Sequence, residues 1–234
     1  MKLALSARAS LAALAIVVAG VTACDDDSTS PPQNAQVRFV HAAAGVDEVN
    51  FRVDGADVRT DVAFGDDASA YGNVAAGSRK LAARVADEDE DLAGVTKDLS
   101  LGSQYTAVLL NGIDSRVLQL YADTNTAAAA GKTRLRVIHT TQAAGALDVY
   151  VTDADADLED AEPVLSEVGM TQASKYVEVA SGERRIRFTD AGTKDVVLDI
   201  EDIDLPDAGV RTVFVIAPEE SGMPLQSIVS EDRG

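Results

Sequence analysis

The sequence predicts an all-β protein: two tandem immunoglobulin-like β-sandwiches of Greek-key type, behind a lipoprotein signal peptide and a tether. Three observations carry this. Val37-Arg38-Phe39-Val40-His41 and Val49-Asn50-Phe51-Arg52-Val53 return as Leu135-Arg136-Val137-Ile138-His139 and Leu147-Asp148-Val149-Tyr150-Val151, both 98 residues later (135 − 37, 147 − 49). A second echo sets Tyr71, within Ala68-Ser69-Ala70-Tyr71 and before Val74-Ala75-Ala76-Gly77, against Tyr176, at an offset of 105 (176 − 71). The second copy therefore holds about seven extra residues in an intervening loop, and one β-rich unit is used twice. Finally, short segments with apolar residues at alternate positions follow one another between glycine-containing turns, the signature of a sandwich or barrel.

Each element follows from that alternation. In repeat one, Val49, Phe51 and Val53 share a face while Asn50 and Arg52 take the other, the period of a half-buried strand. Further strands are expected at 58–64, 69–74, 79–85, 95–101, 104–110 and 117–121, with breaks at Asp54-Gly55, Ala76-Gly77, Leu101-Gly102 and Asn111-Gly112. Repeat two gives 134–139, 146–152, 174–179, 184–189, 195–200, 210–217 and 225–229. Strands 105–110 and 210–217 are apolar on both faces and belong at the centre of their sheets. No segment beyond the N-terminal one has a helical period. The domain expectation is 1–23 signal, 24–35 lipidated cysteine and tether, 36–123 repeat one, 124–131 linker and 132–230 repeat two. The linker, Ala-rich and short, suggests sandwiches set end to end.

Charge excludes one class of partner. The chain has 39 acids against 20 bases, a net charge of −19. Losing Lys2 and Arg8 with the signal takes this to −21 (−19 − 2). Such a body repels nucleic acid and anionic lipid heads. Two readings of the acidity stay open: a salt-tolerant surface, or an ordinary acidic extracytoplasmic protein.

Residues 1–23 read as an export address, with Lys2 and Arg8 ahead of the apolar run Leu11 to Ala19. The run is too short to span a bilayer. Val21-Thr22-Ala23-Cys24 resembles the lipobox of bacterial lipoproteins, in which small residues admit the peptidase and the cysteine thiol takes a diacylglycerol. Cys24 is the single cysteine of the chain, so no internal disulfide competes for it. The resemblance implies acyl chains, such as palmitate, on mature Cys24; two or more give stable anchoring where one is marginal. Asp25 to Asn34 is polar and Pro-containing, a disordered tether.

The pattern Val-Arg-x-Val-His, then an acid or Asn inside a Val-x-Val strand, then Tyr and Val-x-x-Gly before a basic strand, resembles a family of the bacterial envelope, domain of unknown function 4397. The resemblance covers 36–229, with repeat two the looser copy: Thr140-Thr141 stands where Ala42-Ala43 stands. It implies tandem copies in lipoproteins or secreted proteins, and no activity.

Candidate chemistry is sparse. The two histidines, His41 and His139, are equivalent and lack a partner at ligand spacing, so they read as structural residues bonded to turn backbone. There is no Gly-x-Ser-x-Gly elbow, phosphate loop or dinucleotide fingerprint. Carboxylates are too abundant for any pair to signal a glycosidase. Five Tyr and no Trp make a thin sugar platform; Tyr71 and Tyr176 read as core, and Tyr150 is the remaining candidate. Arg79-Lys80 and Arg184-Arg185, with Arg187, read as local neutralisation across strands.

The expected function is a non-enzymatic, lipid-anchored protein of the cell envelope, held to a membrane through Cys24. Its tandem sandwiches serve interaction or structural support for an envelope or extracellular partner, without a cofactor and without nucleic acid. Two alternatives stay open, a Ca²⁺-dependent adhesive or carbohydrate-binding module and a hydrolase with an unfamiliar carboxylate site.

The acidic loops are where a metal site could sit, with Asp153, Asp155 and Asp157 as the candidate ligands. They have the alternate-carboxylate start of an EF-hand loop, but Leu158 replaces the sixth-position Gly and Val164 the twelfth-position acid. Ordering a flexible loop costs free energy, and solvent already screens its repulsion. Calorimetric titration is expected to show Ca²⁺ binding no tighter than about millimolar. Tight binding that disappears in Asp155→Ala overturns this.

Overall fold

The computed structural model describes residues 34–124, 126–218, 220 and 222–232. They lie in one compact unit and form sixteen strands, with no helix among the described residues. The strands of repeat one are β1 (Asn34–Ala42), β2 (Val49–Val53), β3 (Ala56–Val62), β4 (Gly72–Ala75), β5 (Gly77–Val85), β6 (Ala93–Leu99), β7 (Gln104–Asn111) and β8 (Arg116–Asp123). Those of repeat two are β9 (Lys132–His139), β10 (Leu147–Thr152), β11 (Leu165–Val168), β12 (Val177–Ala180), β13 (Gly182–Asp190), β14 (Val196–Leu205), β15 (Val210–Ile216) and β16 (Gln226–Glu231).

Each repeat contributes two four-stranded sheets: β4-β1-β7-β8 and β3-β2-β5-β6 in the first, β12-β9-β15-β16 and β11-β10-β13-β14 in the second. The all-β, two-sandwich architecture is the one expected. In strand order it departs in detail from the immunoglobulin arrangement of ABED against CFG. Here β1 sits inside its sheet, antiparallel to β4 and parallel to β7, with Val37 opposite Tyr105 and His41 opposite Leu109. β9 pairs with β12 and β15 in the same way.

Alternation divides the side chains of these inner strands between two cores. Ala35, Val37 and Phe39 of β1 enter the interior of the first sandwich, where Phe39 stacks on Phe51 at 4.9 Å. Leu135 and Val137 of β9 do the same in the second, beside Ile186 and Phe188. The opposite faces form a third core that takes residues from both repeats: Val40, Val108 and Leu110 from one, Ile138, Phe214 and Ile216 from the other. This explains why β7 and β15 are apolar on both faces. It also corrects the end-to-end expectation: the sandwiches pack face to face through their inner sheets. Linker length sets how far apart two units can be, whereas burial of an apolar sheet face decides which surfaces meet.

The other difference is β11, a strand that the expected elements of repeat two do not include. It is four residues long and contains Glu167 at φ 54°. Its counterpart in repeat one is Asp61, also at φ 54°, in β3. Both left-handed residues are bulges whose amide donates to a side chain on the neighbouring strand, Asp61 N to Asn50 Oδ1 and Glu167 N to Asp148 Oδ1, each at 2.9 Å. This gives the Asn-or-acid position inside the Val-x-Val strand its role. A bulge breaks the two-residue period, and with it the signal by which a short strand is recognised.

Candidate functional site

The face of β1 turned to the other sandwich carries Arg38, and that of β9 carries Arg136; the two residues are 1% and 2% exposed. Arg38 Nη2 donates to Asp232 Oδ1 at 2.5 Å, and Arg136 Nη2 donates to Asp123 Oδ1 at 2.6 Å. The pairing is crossed, because each arginine meets the aspartate of the opposite repeat. Each Nε turns back to a threonine of its own sandwich, Arg38 to Thr106 at 2.8 Å and Arg136 to Thr212 at 3.1 Å. Those hydroxyls donate to their own repeat's aspartates, Thr106 to Asp123 Oδ2 and Thr212 to Asp232 Oδ2, both at 2.6 Å. Tyr71 and Tyr176 donate to the same two oxygens at 2.7 and 2.6 Å. Their rings lie under the guanidinium groups, Arg38 at 4.9 Å and Arg136 at 4.7 Å from the centroids. The remaining Nη1 groups donate to the backbone of the opposite last strand, at Glu231 O and Ala122 O, 3.1 Å each.

The site is saturated, which determines its chemistry. Burial pushes the Tyr71 and Tyr176 hydroxyls well above the usual phenol range, against the pull of Arg38 and Arg136, so both stay protonated as donors. For Arg136, burial opposes the charge, but Asp123, Tyr176 and Asp232 outweigh it and raise the pKa. All four carboxylate oxygens are engaged and no nucleophile is left open. The array joins two bodies; it is not arranged to attack a substrate. Sequence reasoning picked out the arginines as pattern residues and the tyrosines as core. It missed Thr106, Thr212, Asp123 and Asp232, the last of which lies past the expected boundary at 230.

The other candidates are dispersed. His41 and His139 are each 0% exposed at equivalent strand ends. His41 Nε2 is 3.2 Å from Asp47 O, and Nδ1 accepts from Ala43 N at 3.3 Å, an arrangement that fits the neutral Nε2–H tautomer. His139 Nε2 is 2.9 Å from Gly145 O. Burial lowers both pKa values despite the neighbouring carbonyls. Tyr150 is buried, with Lys194 Nζ 4.4 Å from its ring centroid. Arg79 meets Asp54, Lys80 meets Asp91, and Arg185 meets Asp199 and Glu201 on or beside the neighbouring strands. Arg187 donates to Thr152 Oγ1 and Ala156 O.

Of the loop acids, Asp153 pairs with Arg184 and Asp157 Oδ1 accepts from Glu159 N. Among the described residues no group of three or more His, Cys, Asp or Glu is placed to hold a metal. Cys24 lies outside the described residues, as do the signal and most of the tether.

Comparison with known proteins adds a family and a distant structural likeness. The family model described as "Domain of unknown function (DUF4397)" matches residues 35–150, all of repeat one and the first two strands of repeat two. No curated protein is significantly similar in sequence. Among solved structures the chain is similar to a "putative adhesin" from Bacteroides ovatus, at 10% identity and a TM-score of 0.23, with 87% of this chain and 96% of that one covered.

Two predictions follow from this geometry. Asp232→Ala leaves the Arg38 guanidinium buried without its carboxylate, and urea unfolding is expected to show a loss of about 3–5 kcal/mol. The double variant Arg38→Met/Asp232→Leu removes both charges and is expected to lose less than its two single variants added together; a full sum would show that the pair is not coupled.

The histidines set a pH dependence. Their folded pKa values lie below the usual 6.5, so the unfolded chain takes up protons that the folded chain refuses. Their contribution is complete above the unfolded value and is lost as pH falls through the folded one. Tm is therefore expected to fall as pH is taken below the unfolded histidine value of about 6.5. His41→Gln/His139→Gln should flatten that fall, and an unchanged slope in the double variant would count against it.

Proposed function

We propose, for a chain that belongs through residues 35–150 to the DUF4397 family, that it is a non-enzymatic protein of the bacterial cell envelope, anchored by lipid at Cys24. In this reading the tandem sandwich is a rigid body that presents its outer sheets to an envelope or extracellular partner. One observation carries the non-enzymatic part. The side chains best suited to chemistry, both histidines and the Arg-Tyr-Thr-Asp array, are enclosed and already bonded within the fold. The envelope part is supported by the Val21-Thr22-Ala23-Cys24 sequence behind its apolar run. The tether from Cys24 to Asn34, where β1 begins, has a reach of at most ~33 Å at ~3.3 Å per residue, enough to stand the body off a bilayer.

The decisive variant is Cys24→Ser. Wild-type protein is expected in the membrane fraction, and the variant to be released or to stall as an unprocessed precursor. Unchanged membrane fractionation sinks the anchoring proposal. Crosslinking on intact cells with the anchored form then identifies what the outer sheets touch. A purified chain that turns over an envelope polymer would overturn the non-enzymatic reading.

A further inference from the structure

The two repeats differ at one end of their shared seam. Where repeat one has Ala42-Ala43, repeat two has Thr140-Thr141, and where repeat two has Ala217, repeat one has Asn111. A seam that only packed would be served by alanine at each of these positions. Instead the polar residues border a cleft of about 360 Å³ between the sandwiches, which Gly112, Arg116 and Gln142 also line. Gln142 Nε2 donates across it to Gly112 O at 2.6 Å.

Arg116 is the unusual member. Among the described residues of this acid-rich chain the other buried and half-buried arginines are committed to carboxylates, hydroxyls or carbonyls. Among the described residues the Arg116 side chain makes no ion pair or hydrogen bond, and its Nε is enclosed without an acceptor. The Asn111 side chain gives its Nδ2 to Ala44 O at 3.1 Å and leaves Oδ1 without a donor. Thr141 Oγ1 accepts from Ala143 N at 3.0 Å and donates to no acceptor among the described residues. An unpaired guanidinium thus stands beside a hydroxyl with a free donor and an amide oxygen with none.

We propose that this cleft binds a small hydroxylated carboxylate, a hydroxy acid or a sugar acid. The carboxylate sits on the Arg116 guanidinium, whose planar fork suits it. The ligand's hydroxyls meet Thr141 and the side-chain amides. The volume suits a ligand of that size. The site goes beyond the envelope reading and does not depend on anchoring, so either can fail while the other stands.

The test is calorimetric titration of the full chain with four probes. Glucuronate and lactate carry both a carboxylate and a hydroxyl and separate the sugar-acid from the small-acid source; acetate and glucose carry one feature each. Binding of glucuronate, lactate or both is expected with Kd on the order of 1 mM. Acetate and glucose should be at least ~10-fold weaker, a difference of about 1.4 kcal/mol. Arg116→Ala should abolish binding with Tm little changed, since the Arg116 side chain makes no hydrogen bond or ion pair among the described residues. Thr141→Val, which keeps the branched shape, should weaken it and so provides a second test if Arg116→Ala fails to fold. Acetate or glucose binding as well as the hydroxy acids, no binding of either hydroxy acid, or wild-type affinity in Arg116→Ala each overturns the proposal.

Discussion

The crossed pairing of Arg38 with Asp232 and Arg136 with Asp123 is the constraint on which the rest of the structure depends. Removing four charges from water is costly, and their attraction offsets that cost only when the geometry is good and the remaining donors and acceptors are met. Here they are met by two tyrosines, two threonines and the backbone of the opposite last strand. The apolar part of the seam is non-directional and would tolerate sliding of one sheet over the other. The charged part would not, because a shift of a few ångströms would leave a guanidinium and a carboxylate buried without partners. Apolar burial supplies attraction between the sandwiches, and the array selects one orientation. Arginine suits this role because Nε, Nη1 and Nη2 reach a threonine, a carbonyl and a carboxylate at once, which a lysine ammonium cannot reproduce in one plane.

Duplication explains how such an array arises in pairs. Each repeat carries the same four residues, Arg on its first strand, Tyr before its fourth, Thr on its seventh and Asp at the end of its eighth or, for Asp232, one residue beyond it. Once two copies face each other, each element meets its counterpart's complement, and one contact type appears twice. The symmetry lapses at the other end of the seam, where Thr140-Thr141 faces Ala42 and Asn111 stands opposite Ala217 in position. Divergence there leaves the array untouched, since the two regions share neither residues nor hydrogen bonds.

How far this was legible in the sequence depends on the range of each interaction. Strands such as β2 and β5 announce themselves because one buried face imposes the two-residue period along consecutive residues. The runs in β7 and β15 signalled burial on both faces without saying what covered the second. β11 escaped because its bulge at Glu167 breaks the period. The aspartates escaped for a different reason: Asp123 and Asp232 are single members of a population of 39 acids. Their offset of 109 (232 − 123) differs from the 98 that aligns the arginines. The available clue was positional, an aspartate closing the last strand of each copy, but it acquires meaning only once the sheets are known to face each other. Local patterns reveal elements, whereas a pairing across 194 residues depends on tertiary packing.

The seam also separates two roles of charge that the composition merges. Within the array the two arginines and two aspartates balance, so the net charge of −19 is carried elsewhere. Outside it, Arg52 and Arg84 share Asp57, Lys80 and Arg52 share Asp91, and Arg185 lies between Asp199 and Glu201. These pairs are partly solvated, contribute little each, and weaken as salt rises. The same salt relieves repulsion among the surplus acids, so on the outer sheets the two effects oppose one another. Inside the seam neither operates, because the charges are enclosed and ions do not reach them. An acid-rich exterior can therefore meet changing ionic strength while the orientation of the two sandwiches stays set by contacts that salt does not screen.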